Sequence, residues 1–231
     1  LLSRIEYCIF ILRSTQQWGV KSRLSGPFDN SRFSFLVETC EELLDFLPQN
    51  LEKPEQYHRQ RILSSLSLGN TLAEGLRMDP NLSFKGSICE EADKLKSQNI
   101  LLKSLQNILM VTEKYVISNL ENQGEFFSHL IKICEIGTLE LIRPVEATPQ
   151  EFESEIQVNQ ELCDAVKQQA KLVIMEVVRS NEQVCSALVE SAEKFRPIFN
   201  IFMQDLCDAK DPSLLDTELQ FFLNVINPQG K

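Results

Sequence analysis

Histidine and tryptophan are nearly missing from this chain of 231 residues: His58, His129 and Trp18 are the only copies. Two histidines allow no His-Glu-x-x-His helix, and a catalytic zinc would have to recruit Cys or carboxylates at unrelated spacings. Eight scattered glycines form neither G-x-x-x-x-G-K-[ST] nor G-x-G-x-x-G, which removes the phosphate-cradling loops. With nine prolines and 43% apolar residues, the chain is neither collagenous nor intrinsically disordered. Apolar runs stay short, as at Ile9–Leu12 and around Val177–Val178, far below the ~18–20 residues of a membrane span. The acidic stretch Asp205–Asp216 fails as an EF-hand, because Lys210 takes a ligand place when counting starts at Asp208 and no Gly follows.

Positive charge is also scarce. Lys and Arg number 23 against 33 Asp and Glu, a formal charge of −10, whereas phosphate contacts to nucleic acid require concentrated basic side chains. The deficit is uneven: residues 1–35 carry +3, residues 36–145 carry −5 and residues 146–231 carry −8. Such a gradient can steer an acidic partner to the first end and a basic one to the second. Solvated helix faces are the plainer explanation.

The seven cysteines (Cys8, Cys40, Cys89, Cys134, Cys163, Cys185 and Cys207) are odd in number and widely spaced, with no Cys-x-x-Cys. That pattern opposes both a secreted disulfide framework and a zinc module. Most fall where a helix buries small hydrophobes, so a reducing compartment, cytoplasmic or nuclear, is expected. The first residue is Leu1 and the last ones are Asn227-Pro228-Gln229-Gly230-Lys231, which reads as a segment of a larger protein.

What the chain has in quantity is apolar residues spaced by three and four. Phe33, Val37, Cys40, Leu44 and Leu47 predict a helix over 31–47, capped by Ser31 and stopped at Pro48. Ile62, Leu66, Gly69, Ala73 and Leu76 predict one helix over 56–78, its two small residues inviting a close neighbour. Ile88, Ala92, Leu95, Leu102, Leu105, Leu109, Thr112 and Val116 predict a long helix over 87–120. Leu101, Ile108 and Tyr115 widen that face, which places the helix centrally between neighbours. After a break at Asn122-Gln123-Gly124, a helix over 125–142 carries Phe127, Leu130, Cys134 and Leu141.

Thr148-Pro149-Gln150-Glu151 has the form of a capping box with Pro at the first helical position. Behind it Phe152, Ile156, Asn159, Cys163, Val166, Ala170, Val173 and Val177 predict a helix over 149–179, about 46 Å long. A helix over 182–195 carries Val184, Leu188 and Phe195, and Arg196-Pro197 is expected to kink or break it. A short element spans Ile198–Leu206, and a last helix opened by Asp211-Pro212 carries Leu215, Leu219, Phe222 and Ile226. No period of two is sustained anywhere. The fold expected is all-α with eight to nine helices in one domain over 1–231, with a possible sub-boundary near 144–148. Its architecture is either an irregular α-α superhelix of HEAT or armadillo kind or an elongated multi-helix bundle. Helix-pair starts near 3, 56, 125 and 181 share no fixed period, which weakens the regular repeat.

Reactive constellations are few. His129 and Cys134, five residues apart, point about 140° away from each other on a helix, so neither can activate the other from within it. Glu151 and Glu155 share a face, where a helix N-terminus favours carboxylates without any acid–base role. No catalytic residue, metal ligand or cofactor is therefore assigned, and the chain is not expected to be an enzyme. The contact region expected on residue type is Trp18, Lys21, Arg23, Phe28 and Arg32, where aromatic and basic side chains together suit an acidic segment. Asn159, alone in an apolar stripe, is expected to fix helix register. These features point to a non-catalytic scaffold or adaptor within a larger complex, binding another protein through an amphipathic helix or acidic linear segment. The alternatives are a regulator of a small GTPase acting through Arg13, Arg59, Arg61 or Arg143, or a module that tethers to membranes through its basic end.

Overall fold

Spacing by three and four becomes nine helices and no strand among the described residues of the computed structural model. The structure describes residues 30–47, 53–77, 91–115, 123–136, 149–180, 182–208 and 216–227, together with Ser3, Glu6, Tyr7 and Phe10. In chain order the helices are α1 (Asn30–Phe46), α2 (Lys53–Ser65), α3 (Leu68–Gly75), α4 (Glu91–Tyr115), α5 (Gln123–Cys134), α6 (Pro149–Ser180), α7 (Glu182–Glu190), α8 (Arg196–Asp208) and α9 (Asp216–Ile226).

The two longest, α4 and α6, pack along each other and carry the rest. Helix α1 and α3 lie on α4, α5 and α9 lie on α6, and α9 also touches α7 and α8. One connected apolar core runs from Cys40 of α1 to Val225 of α9. Leu95, Leu101, Leu102, Leu105, Ile108, Leu109 and Tyr115 of α4 are all buried, as the widened face predicts for a helix between neighbours. On α6 Asn159, Cys163, Val166, Ala170, Val173 and Val177 of the expected stripe are buried. Ile156, expected on the same stripe, is exposed near the start of the helix, and the side chain of Phe152 lies outside the described residues. This arrangement is consistent with either expected architecture.

The expected helix over 56–78 is two helices. Ser67, in the left-handed conformation at φ 59° and ψ 34°, separates α2 from α3. Its carbonyl accepts from the Thr71 N–H at 3.2 Å and from Thr71 Oγ1 at 3.1 Å, so the break also starts the next helix. The offset rotates the buried set to Leu63, Leu68, Leu72 and Leu76, whereas Ile62, Leu66 and Ala73 are only half-buried. Gly69 does meet a close neighbour, since a Cβ there would stand 3.5 Å from the Tyr115 ring.

Arg59 fastens α2 to the end of α1. Its Nη1 donates to the Phe46 carbonyl at 2.8 Å, its Nη2 pairs with Glu55 at 2.6 Å, and its guanidinium stands 5.1 Å from the Phe46 ring centroid. A cation on a carbonyl of the last turn complements the negative end of α1.

Four further boundaries differ from expectation. The helix expected over 125–142 ends at Cys134, since Glu135 and Ile136 are already outside it. Ser31 lies inside α1, and Gly124 lies inside the first turn of α5. Arg196-Pro197 opens α8 instead of breaking a helix, because a first turn needs no intrahelical donor from Pro, and the break falls earlier, at 191–195. Thr148, the sub-boundary at 144–148, Pro48, Ile88, Val116, Leu141, Asp211, Pro212 and Leu215 lie outside the described residues.

Candidate functional site

Helix α9 carries two apolar stripes, and the structure buries the one not expected from spacing. Glu218, Phe221 and Val225 face inward, and Phe221 stacks on Phe202 of α8 with ring centroids 4.0 Å apart. Leu219, Leu223 and Ile226 are 49%, 57% and 78% exposed. Phe222 is half-buried between the two stripes, 6.4 Å from the Phe199 ring of α8. One turn along α8 from Phe199 stands Met203, 47% exposed. The outcome is an apolar surface continuous with the core through Phe199 and Phe222, displayed to solvent on α8 and α9. Single exposed apolar residues are ordinary, but a stripe repeating by four and three on one helix face is a patch of the kind that marks contact sites.

A second feature is a cleft of about 700 Å³ between α5, α6 and α8, lined by Cys134, Lys167, Lys171, Asn200, Ile201 and Asp205 among others. Its two lysines are each beside a carboxylate. Lys171 pairs with Asp205 across the cleft, and Lys167 lies 3.8 Å from Asp164. Burial pushes the Cys134 thiol up to about 12, the nearby Lys171 ammonium offsetting only part of that. The thiol is protonated at neutral pH and is no nucleophile. We expect alkylation of Cys134 to be at least about a hundredfold slower than that of exposed Cys207 near pH ~8, and still to climb about tenfold per pH unit up to pH ~10. Peptide mass spectrometry of the two sites checks this; equal rates would show that Cys134 is ionised.

Cys40, Cys163 and Cys185 are buried and form no disulfide, as their apolar-phase positions imply, while Cys8 and Cys89 lie outside the described residues. Cys185 Sγ donates to the Val178 carbonyl in the last turn of α6 at 3.0 Å, joining α6 to α7.

Of the contact region expected from sequence, Trp18, Lys21, Arg23 and Phe28 lie outside the described residues. Arg32 is placed on α1 by its backbone alone. Among the arginines considered as GTPase-directed, Arg59 is occupied at the α1–α2 junction and Arg61 is exposed, while Arg13 and Arg143 lie outside the described residues. His58 is exposed and His129 half-buried on α5. No group of three or more His, Cys, Asp or Glu that could hold a metal occurs among the described residues. None of the described helices is long and apolar enough to cross a membrane.

The sequence contained a signal for the α8–α9 surface that spacing alone could not assign. Leu219, Phe222, Leu223 and Ile226 formed an apolar face, and only the stacking of Phe221 on Phe202 decides which face turns outward. No family model, curated protein or solved structure matches this chain.

Proposed function

We propose that this chain is a non-catalytic helical scaffold that binds another protein as part of a larger complex in a reducing compartment, the cytosol or nucleus. The observation that carries the reading is the solvent-facing stripe Leu219, Leu223 and Ile226, joined to the core through Phe222. The buried cysteines Cys40, Cys163 and Cys185, which form no disulfide, support the compartment. The basic and aromatic residues Trp18, Lys21, Arg23, Phe28 and Arg32 supply a second contact region for an acidic segment.

Quantitative affinity purification of the full chain, compared with a Leu219→Gln/Leu223→Gln variant, tests the reading. Gln keeps helix propensity while removing the apolar surface. A discrete set of proteins is expected with the native chain and lost with the variant, at unchanged helicity by circular dichroism. A Trp18→Ala/Phe28→Ala variant tests the second region in the same way. Recovery of an identical set with both variants, or of no protein with the native chain, overturns the proposal.

A further inference from the structure

We infer that the α8–α9 surface accepts a basic amphipathic helix of a partner protein, an inference that rests on the scaffold reading and specifies the partner at that site. The apolar part of the contact is set by Leu219, Leu223 and Ile226, which recur by four and three along α9. That is the spacing one helix presents to another lying along it. The half-buried Phe222 of α9 meets the half-buried Phe199 of α8, and Met203 one turn along α8 adds exposed apolar surface beside it.

Charge selects among apolar helices. The described residues 182–208 and 216–227 hold seven acidic and two basic side chains; of the acidic ones, Glu218 faces inward and Asp205 is paired with Lys171. Glu182 and Glu190 on α7, Glu193 in the turn that follows it and Asp216 on α9 are exposed, and α9 packs on both α7 and α8. Asp216 begins α9 only about 20° around the helix from Leu223, at the edge of the apolar stripe. Lysines or arginines flanking the apolar face of a partner helix would meet this field and be drawn to it, whereas acidic flanks would be repelled. The same field disfavours a second copy of this chain, which would set one acidic surface against another. The occupant is therefore unlike the surface in charge and like it in its apolar repeat.

Fluorescence anisotropy with three labelled synthetic peptides of about 18 residues tests this. One has leucines at the four-and-three spacing with lysines elsewhere, the second replaces those lysines with glutamates, and the third is a scramble of the first. The expected result is saturable binding of the first by the full chain, with the other two at least about tenfold weaker. Binding should weaken between roughly 50 and 300 mM salt and fall at least about tenfold with Leu219→Gln/Leu223→Gln. Equal binding of the acidic peptide or of the scramble overturns the inference. So does a dimer in sedimentation equilibrium that the double variant dissolves, because the occupant is then a second copy. If no peptide binds while affinity purification still yields proteins lost with the same variant, the partner chemistry is wrong and the scaffold stands. If both experiments are negative, the scaffold falls as well.

Discussion

Phe221→Ala is expected to cost about 3–5 kcal/mol and to release α9 from the rest of the molecule. The Phe221 side chain is fully buried, stacked at 4.0 Å and 5° on Phe202, and edge-on to Phe199 at 5.8 Å and Phe222 at 5.2 Å. Removing it deletes apolar burial and leaves a void between two rings that the helices around it cannot close without losing their own contacts. Helix α9 has only eleven residues, too short to hold its shape in water without a packed face. Loss of the ring should therefore appear first as local opening. Hydrogen exchange of the α9 amides should accelerate by at least about a hundredfold, since each 1.4 kcal/mol is a factor of about ten. Leu223→Ala, two residues along the same helix, should change stability by less than about 0.5 kcal/mol. If the two substitutions had equal effects, the assignment of inner and outer faces on α9 would be wrong.

That assignment also shows where sequence reading succeeds and fails. On α6 a single stripe leaves one face to bury, and from Asn159 onward Cys163, Val166, Ala170, Val173 and Val177 went inward as their spacing required, while Ile156 at its start stays exposed. On α9 two stripes compete, and the one with the acidic residue, Glu218, is the one that packs, because Phe202 offers Phe221 a stacking partner. Local hydropathy ranks the stripes in the wrong order. At Ser67 the failure is different. Nothing about serine announces a left-handed residue, yet that one torsion ends α2, starts α3 and turns the buried face to Leu68 and Leu72. Tertiary contacts choose between faces that the chain alone leaves equivalent, so the exposed surface on α9 could not be read from residue order. Asn159 lies between these cases. Its polarity within an apolar stripe is visible in the sequence, but its partners, about sixty residues earlier on α4, are not.

The partners make Asn159 the second place where a large effect is expected. Asn159 is 2% exposed; its Nδ2 donates to Gln98 Oε1 at 2.8 Å and to Asn99 Oδ1 at 2.7 Å, and its Oδ1 faces Cys163 Sγ at 3.9 Å. Elsewhere α4 and α6 meet largely through leucines and valines, with one further polar contact in which Gln169 Nε2 donates to Glu113 Oε2. The apolar part would pack nearly as well after a slide of one helical turn, about 5.4 Å. Such a slide would break both bonds of the buried Asn159 amide and leave it among apolar side chains, at about 1–3 kcal/mol. Asn159→Leu should accordingly cost about 2–3 kcal/mol, chiefly because the buried Gln98 Oε1 and the Asn99 Oδ1 both lose the Asn159 donor. Gln98→Leu alone should cost less, about 1–2 kcal/mol, since Asn159 keeps its bond to Asn99. With both replaced by leucine the Asn159–Gln98 pair is gone from both sides, while Asn99 Oδ1 loses the Asn159 donor no more than in the single Asn159 variant. The combined loss should fall below the sum of the single losses, giving a coupling energy of about 1–3 kcal/mol in urea denaturation. Recovered stability need not restore a single register. The double variant should bind a hydrophobic dye and broaden its methyl resonances while keeping its helicity, as expected when helices slide among near-equivalent packings. Additive losses with sharp resonances would reduce the Asn159–Gln98 bond to an ordinary polar contact and leave the register of α4 against α6 to be set by side-chain shape.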